Sequence, residues 1–256
     1  MTNRNAQTDW SQLTWPEIEE LLNEGQTGVI LPIGATEQHG PHLGVGMDSA
    51  LAERLARGAA EATGVPCLPT IPYGCSLGHS HRWPGTLALR PQTLIEVIVD
   101  LGRWLFQSGF TRLFIVNGHV GNRSPLRCAL EILRAECEDF KIAIFTTGTL
   151  SPRVQDAFDV DAKDWHANAA ETSLMMHLFP DLVREDLLKD SDDPDRTENC
   201  VFAHPVNRTS KNGVTGKPSA ASSEMGASLF EQMVEDLSEQ ICRGISERSP
   251  LDVSFQ

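Results

Sequence analysis

At 256 residues, 40% hydrophobic and 22% charged, the chain has the length of one large α/β domain and an ordinary folded composition, which excludes disordered, collagen-like and disulfide-scaffold classes. Its 35 acidic against 21 basic side chains give a net charge of −14, which repels nucleic-acid phosphates and anionic lipid and turns attention to carboxylates that gather cations. The six cysteines form no C-x-x-C pair and read as reduced thiols, and no stretch is apolar over the roughly 18 residues of a membrane span, so a cytoplasmic protein without nucleic-acid or membrane partners is expected.

Thr14-Trp-Pro-Glu17 opens the first predicted helix, with Thr14 as N-cap, Pro16 in the first turn and Glu17 closing a capping box; it ends near Gly25. Gly28 to Gly34 is a short apolar run, as in a strand buried on both faces of a parallel sheet. From Asp48 to about Thr63, Leu51, Leu55, Ala59 and Ala62 fall at helical spacing behind an acid that suits the helix dipole. Val65 to Pro72 reads as a second strand and Thr86 to Leu89 as a short third. Leu94, Ile95, Ile98, Leu101 and Leu105 mark one face of a long helix. Arg112 to Asn117 is the clearest strand, followed by a glycine turn and a helix through Leu126, Leu130 and Leu133; Lys141 to Thr147 is a further strand. Asp164 to Ser173 opens a helix. Asp181 to Ala221 reads as irregular surface structure, its acidic run from Asp190 to Asp195 as a solvated loop without EF-hand spacing. The last helix carries Leu229, Met233, Leu237 and Ile241. This alternation predicts one domain over 1–256, three-layer α/β/α with a mainly parallel sheet, and places a site beyond the carboxyl ends of the strands.

Glu37 and His39 follow the first predicted strand, and residues two apart on extended backbone project to the same side, so a carboxylate and an imidazole converge. A loop with Gly40, Pro41, Gly44 and Gly46 can fold back and bring Asp48 to the same point. His119 ends the clearest strand between Gly118 and Gly121, where backbone can pass close to whatever the imidazole holds. His166 and Glu171 offer another imidazole and carboxylate five residues apart. Each alone is a common pattern with a structural reading; together they fall at strand ends and helix starts, where a doubly wound sheet gathers its site. Imidazole and carboxylate donors without thiolate suit zinc or manganese, with iron possible. Cys75 to Thr86, containing His79, His81 and Trp83, reads as a shaped loop lining a substrate pocket or as a solvated turn around a buried Trp83. Trp165 either closes over a substrate or packs; His42, His177 and His204 read as structural or surface residues.

Ile33-Gly-Ala-Thr-Glu-Gln-His-Gly-Pro-His-Leu43 with Asp48, then Asn117-Gly-His119-x-Gly-Asn122, resembles the creatininase family. The likeness continues in Pro84-Gly-Thr86, Glu171-Thr-Ser173 and Gly213-Val-Thr-Gly-x-Pro218. The resemblance implies an α/β hydrolase with two divalent ions per subunit, zinc or manganese, that opens a small cyclic amide or cleaves a formamide or related C–N bond with a metal-bridging hydroxide. By position it implies that Glu37, Asp48 and His119 hold one metal and His39 and Asp48 the other, with Asp48 bridging and Glu171 completing the second set. Glu171 or His166 would pass a proton to the leaving nitrogen. His79, His81, Trp83 and Trp165 are the candidate substrate contacts. Creatininase carries a glutamate ligand two residues after the motif histidine, where this chain has Gly121, and relatives commonly have Gly and Glu where this chain has Asn168 and Ala169. The resemblance also implies a homo-oligomer, a trimer or hexamer. The competing readings are a nonmetal hydrolase using Ser76 with His79 or His81, and a ligand-binding protein of the same fold whose site has decayed.

Overall fold

The computed structural model describes residues 8–79 and 81–251. Its sheet has three parallel strands, β1 (Gly28–Ile33), β2 (Arg112–Asn117) and β3 (Lys141–Thr146), in the order β1-β2-β3. Helix α1 (Trp15–Asn23) precedes β1; α2 (Met47–Thr63) and α3 (Pro91–Gln107) lie between β1 and β2, and α4 (Arg123–Glu136) between β2 and β3. After β3 come α5 (Pro152–Phe158), α6 (Ala169–Leu178), the single turns α7 (Leu188–Ser191) and α8 (Val206–Thr209), and the long α9 (Ser223–Ser246).

Because side chains alternate along a strand, the sheet divides the core in two. Val29, Leu31, Leu113 and Ile115 face α3 and α4, where Leu94, Ile98, Leu126 and Leu133 meet them. Ile30, Phe114 and Val116 face the other way, onto Leu51 and Leu55 of α2, Leu174 of α6 and Met233 and Leu237 of α9. The result is the expected α/β/α layering. Thr14 and Glu17 form the capping box of α1.

Two predicted strands differ. Val65 to Pro72 runs beside β1 but makes only isolated bridges, Cys67 with Ile30 and Ile71 with Ile33. Pro66, Pro69 and Pro72 have no N–H to give, so a continuous ladder cannot form. What remains is the Pro66 carbonyl and the N–H groups of Leu68 and Ile71 bonded to β1, with Thr8 and Trp10 bonded to Cys67 on the far side. Thr86 to Leu89 is a strap rather than a strand: Leu87 N–H donates to the Thr36 carbonyl and Leu89 N–H to that of Gly74. The acidic run, read as a solvated loop, instead ties irregular segments together. Asp192 accepts from Ser219, buried Asp193 pairs with Arg196 and accepts from Ser210 and Lys211, and Asp195 accepts from Thr197, Lys163 and Asp164. All six cysteines are free thiols. No helix among the described residues is long and apolar enough to cross a membrane.

Candidate metal centre

The carboxyl ends of β1 and β2 open onto a cavity of about 490 Å³ lined by Glu37, His39, Asp48, His119, His166 and Glu171. Two asparagines fix its floor. Asn117 Nδ2 donates to the His119 carbonyl at 2.8 Å, while Asn122 Oδ1 accepts the Cys75 N–H at 2.9 Å and its Nδ2 donates to the Gly34 carbonyl at 2.9 Å. These bonds tie β2, the 74–79 loop and the end of β1 to one another. Asp48 arrives on the first turn of α2, and Glu171 on the first turn of α6, where the Asn168 side chain caps the Glu171 N–H at 3.1 Å.

Three imidazoles share one arrangement. His39 Nδ1 lies 3.2 Å from the Glu37 carbonyl oxygen, His119 Nε2 3.1 Å from the Cys75 carbonyl and His166 Nδ1 2.6 Å from the Gly213 carbonyl. A carbonyl only accepts, so each of these nitrogens carries the proton and donates it. The second nitrogen of each ring faces carboxylates: His39 Nε2 is 3.2 Å from Asp48 Oδ1, His119 Nδ1 is 3.3 Å from both Glu37 Oε1 and Asp48 Oδ2, and His166 Nε2 is 3.2 Å from Glu37 Oε1. A neutral ring would set its lone pair against these oxygens, so a proton or a metal cation must stand between them. Outward N–H bonds that fix the tautomer are how metal-binding histidines are oriented.

The carboxylates ask for the same charge. Glu37 Oε2 and Asp48 Oδ2 are buried and accept no hydrogen bond. Burial opposes ionisation of Glu37, but the imidazoles of His119, His166 and His79 hold its carboxyl well below the usual range. Burial also works against charge on His39, yet Asp48, Glu171 and Glu37 raise its imidazole to about 10; Glu37 and Asp48 likewise raise His119 well above its ordinary value. Burial pushes the Glu171 carboxyl up. Donor atoms of Glu37, Asp48 and His119 lie within 4.8 Å of one another, as do those of His39, Asp48 and Glu171, and those of Glu37, His39 and His166. The first two sets share Asp48. Imidazole and carboxylate donors in this arrangement fit divalent metal ions.

The remaining candidates divide. His79 lines the cavity, but its Nδ1 accepts from Gln38 Nε2 at 2.9 Å, so its Nε2 carries the proton and points at Glu37 Oε1, 3.8 Å away. Burial, with His166 close by, lowers its imidazole to about 3. Trp165 lines the cavity and packs on Phe158 with ring centroids 4.8 Å apart. His81 is exposed and outside this cavity, and Trp83 lies under the Arg82 guanidinium beside a separate hollow. Ser76 is buried with Oγ 3.4 Å from His119 Nε2, not beside the ring of His79 or His81. That nitrogen faces the Cys75 carbonyl and so has no free lone pair with which to take the serine proton. His204, read as structural or surface, lines the cavity.

Sequence reasoning missed the backbone acceptors. Gly213 has φ +90°, and a Cβ there would stand 1.9 Å from Gln38 Oε1, so only glycine lets this carbonyl reach His166 and Gln38. Gly121 does the same for Cys75: a Cβ would come within 2.3 Å of the Cys75 carbonyl and 2.4 Å of His119 Nε2. The glutamate that the family resemblance leads one to expect there has no room in this arrangement.

The sequence profile of the creatininase family, described as creatinine amidohydrolase, matches residues 11–241. The creatinine amidohydrolase of Pseudomonas putida is 32% identical over 247 residues, covering 90% of this chain and 94% of the relative. The mycofactocin precursor peptide peptidase of Mycolicibacterium smegmatis is 32% identical over 231 residues, 87% of each chain. Among solved structures, a mutant creatininase of the Zn-Zn type superposes with a TM-score of 0.83 at 29% identity, covering 94% of this chain and 99% of that one.

Proposed function

The chain belongs to the creatininase family, and from that premise we propose that it is a dinuclear metal-dependent amidohydrolase hydrolysing a C–N bond of a small or peptide-derived amide. The observation that carries this reading is the trio of imidazoles donating outward to backbone carbonyls and turning their second nitrogens onto carboxylates. Glu37, Asp48 and His119 would hold one ion and His39, Asp48 and Glu171 the other, with Asp48 common to both. Zinc or manganese held there would supply Lewis acidity and lower the pKa of a bound water toward neutral pH.

The chain's own groups do the rest. His166 is less buried than the others, 14% exposed, and stands between Glu37 and the open cavity, placed to carry a proton to the leaving nitrogen. Glu171 accepts the Ala167 N–H at 2.6 Å through one oxygen, which leaves the other for a cation or a proton. The His79 Nε2–H projects into the same space as a donor to substrate. Trp165 narrows the cavity beside His166. With Gly121 supplying no carboxylate, Glu171 takes the acid's place in the second set.

Elemental analysis tests this reading. The purified protein is expected to carry about two equivalents of divalent metal, and the Glu37→Gln, Asp48→Asn double variant almost none. Cyclic amides, formamides and short peptides form the substrate screen, with chelator as the control. Absence of metal even after reconstitution would leave no source for the nucleophile and sink the proposal; so would turnover that survives chelation.

A further inference from the structure

Next to the metal cavity lies a second hollow of about 400 Å³, and the two share Arg123 and Thr149 as walls. Ile144, Phe145 and Thr146 all line it. Consecutive strand residues point to opposite faces, so a hollow that touches all three sits over the edge of β3 rather than over either face. Arg123 and Arg127 flank it from α4 and Gln240 from α9, and its lining contains no carboxylate.

In a chain with a net charge of −14, that balance is unusual. Neither arginine side chain makes a hydrogen bond or an ion pair among the described residues. They stand one turn apart on the same helix, where like charges repel. The cavity's other outward cation, Lys163, is paired with Asp159 at 3.2 Å. Arg123 is thus the cation on the shared wall that lacks an anion. Ile144, Phe145 and Leu150 give the same hollow an apolar side.

We propose that this hollow is the subsite for a carboxylate at one end of the substrate, with Arg123 as the residue that sets the preference. The inference rests on the amidohydrolase reading and narrows it: the substrate is an amide whose far end is a free carboxylate next to an apolar side chain, the chemistry of a peptide C-terminus. The scissile amide lies at Asp48 and Glu37 while the carboxylate is gripped by the guanidinium groups, a pairing that is planar and two-pronged. A neutral five-membered lactam would leave both arginines unanswered.

The test uses N-acetyl-leucine and N-acetyl-leucinamide, which differ in the carboxylate alone, measured by calorimetry on the protein as purified. The parent is expected to bind the acid at least about tenfold more tightly than the amide. In the Arg123→Gln, Arg127→Gln double variant the preference should fall below about threefold, and Arg123→Lys should keep part of it. Equal binding of acid and amide by the parent would overturn the proposal. So would a preference that survives in the double variant, since the carboxylate would then sit on the metal ions themselves. Inorganic phosphate is the third probe: binding tighter than the acid and lost in the double variant would make this an oxyanion site unrelated to substrate. Both arginines are exposed, and Arg123→Gln alone gives a second reading should the double variant misfold. Metal content measured on the same samples separates this outcome from failure of the hydrolase reading, because a metal-free parent could still show the carboxylate preference.

Discussion

Gly121 decides how His119 is held. An alanine there would press on the Cys75 carbonyl and on the imidazole, and one of the two must move. The ring would lose the outward bond that fixes its tautomer. Perturbing such a partner usually lowers metal affinity or activity by about 10–100-fold. Gly121→Ala is therefore expected to lose metal chiefly from the set of Glu37, Asp48 and His119, with activity falling by a similar factor, as read by metal titration beside amide turnover; unchanged affinity would show that the Cys75 carbonyl is dispensable. The candidate ligand side chains were legible in the sequence because Glu37, His39, Asp48 and His119 sit at the ends of recognisable elements. The groups that orient them were not, because a carbonyl carries no residue signature. Gly213 and Gly121 are the traces it leaves, and a glycine does not say which carbonyl it makes room for. Arg123 was silent for another reason: one arginine among many is marked only by the acid it lacks.

Helix α6 shows how an element places a candidate site carboxylate, Glu171. Asn168 caps Glu171, donates to the Phe158 carbonyl at 2.8 Å and donates to Asp161 Oδ1 at 2.8 Å, while Asp161 also accepts the N–H groups of Ala169 and Lys217. Where the family resemblance leads one to expect Gly and Glu, this chain thus has a cap and a buried alanine. Asn168→Ala removes the cap and leaves buried acceptors unpaired, which costs about 2 kcal/mol. Urea denaturation is expected to show that loss, together with weaker binding of the ion shared by His39, Asp48 and Glu171; full metal affinity in the variant would separate the cap from the site. At this scale the helices and the three strands were readable from apolar spacing and capping residues. Val65 to Pro72 was not, because its apolar residues match a strand while its prolines remove the donors that a ladder needs, and hydrophobic pattern alone does not weigh the two.

For the molecule as a whole, the site is a burial of negative charge that must be balanced. In the chelated protein that balance falls to protons on the imidazoles. The His39 imidazole is raised from 6.5 to about 10, against the opposing effect of burial, by Asp48 first and then Glu171 and Glu37. A raised histidine stabilises the fold fully below its unfolded value of 6.5, and the contribution drains away as pH climbs through 10. Chelated protein should accordingly lose stability between neutral pH and pH 10, whereas metal-loaded protein, its charge balanced by ions, should not. Thermal melts at about pH 7 and pH 9.5, with and without EDTA, measure the difference; parallel profiles would mean that the cluster is neutralised some other way.

The sheet itself has two unlike margins. Beyond β1, the proline-interrupted segment 65–72 and residues 8–10 leave no row of free donors for another chain to read. Beyond β3 no strand pairs among the described residues, and the strand is only half-buried along most of its length. An open strand edge is a template for self-association, and charged side chains beside it are how proteins discourage that. Arg123 and Arg127 at its carboxyl end and Lys141 at its start therefore act as gatekeepers as well. Any pairing through this edge joins β3 to the β3 of a second copy, a contact that closes on itself, because the β1 margin is already covered.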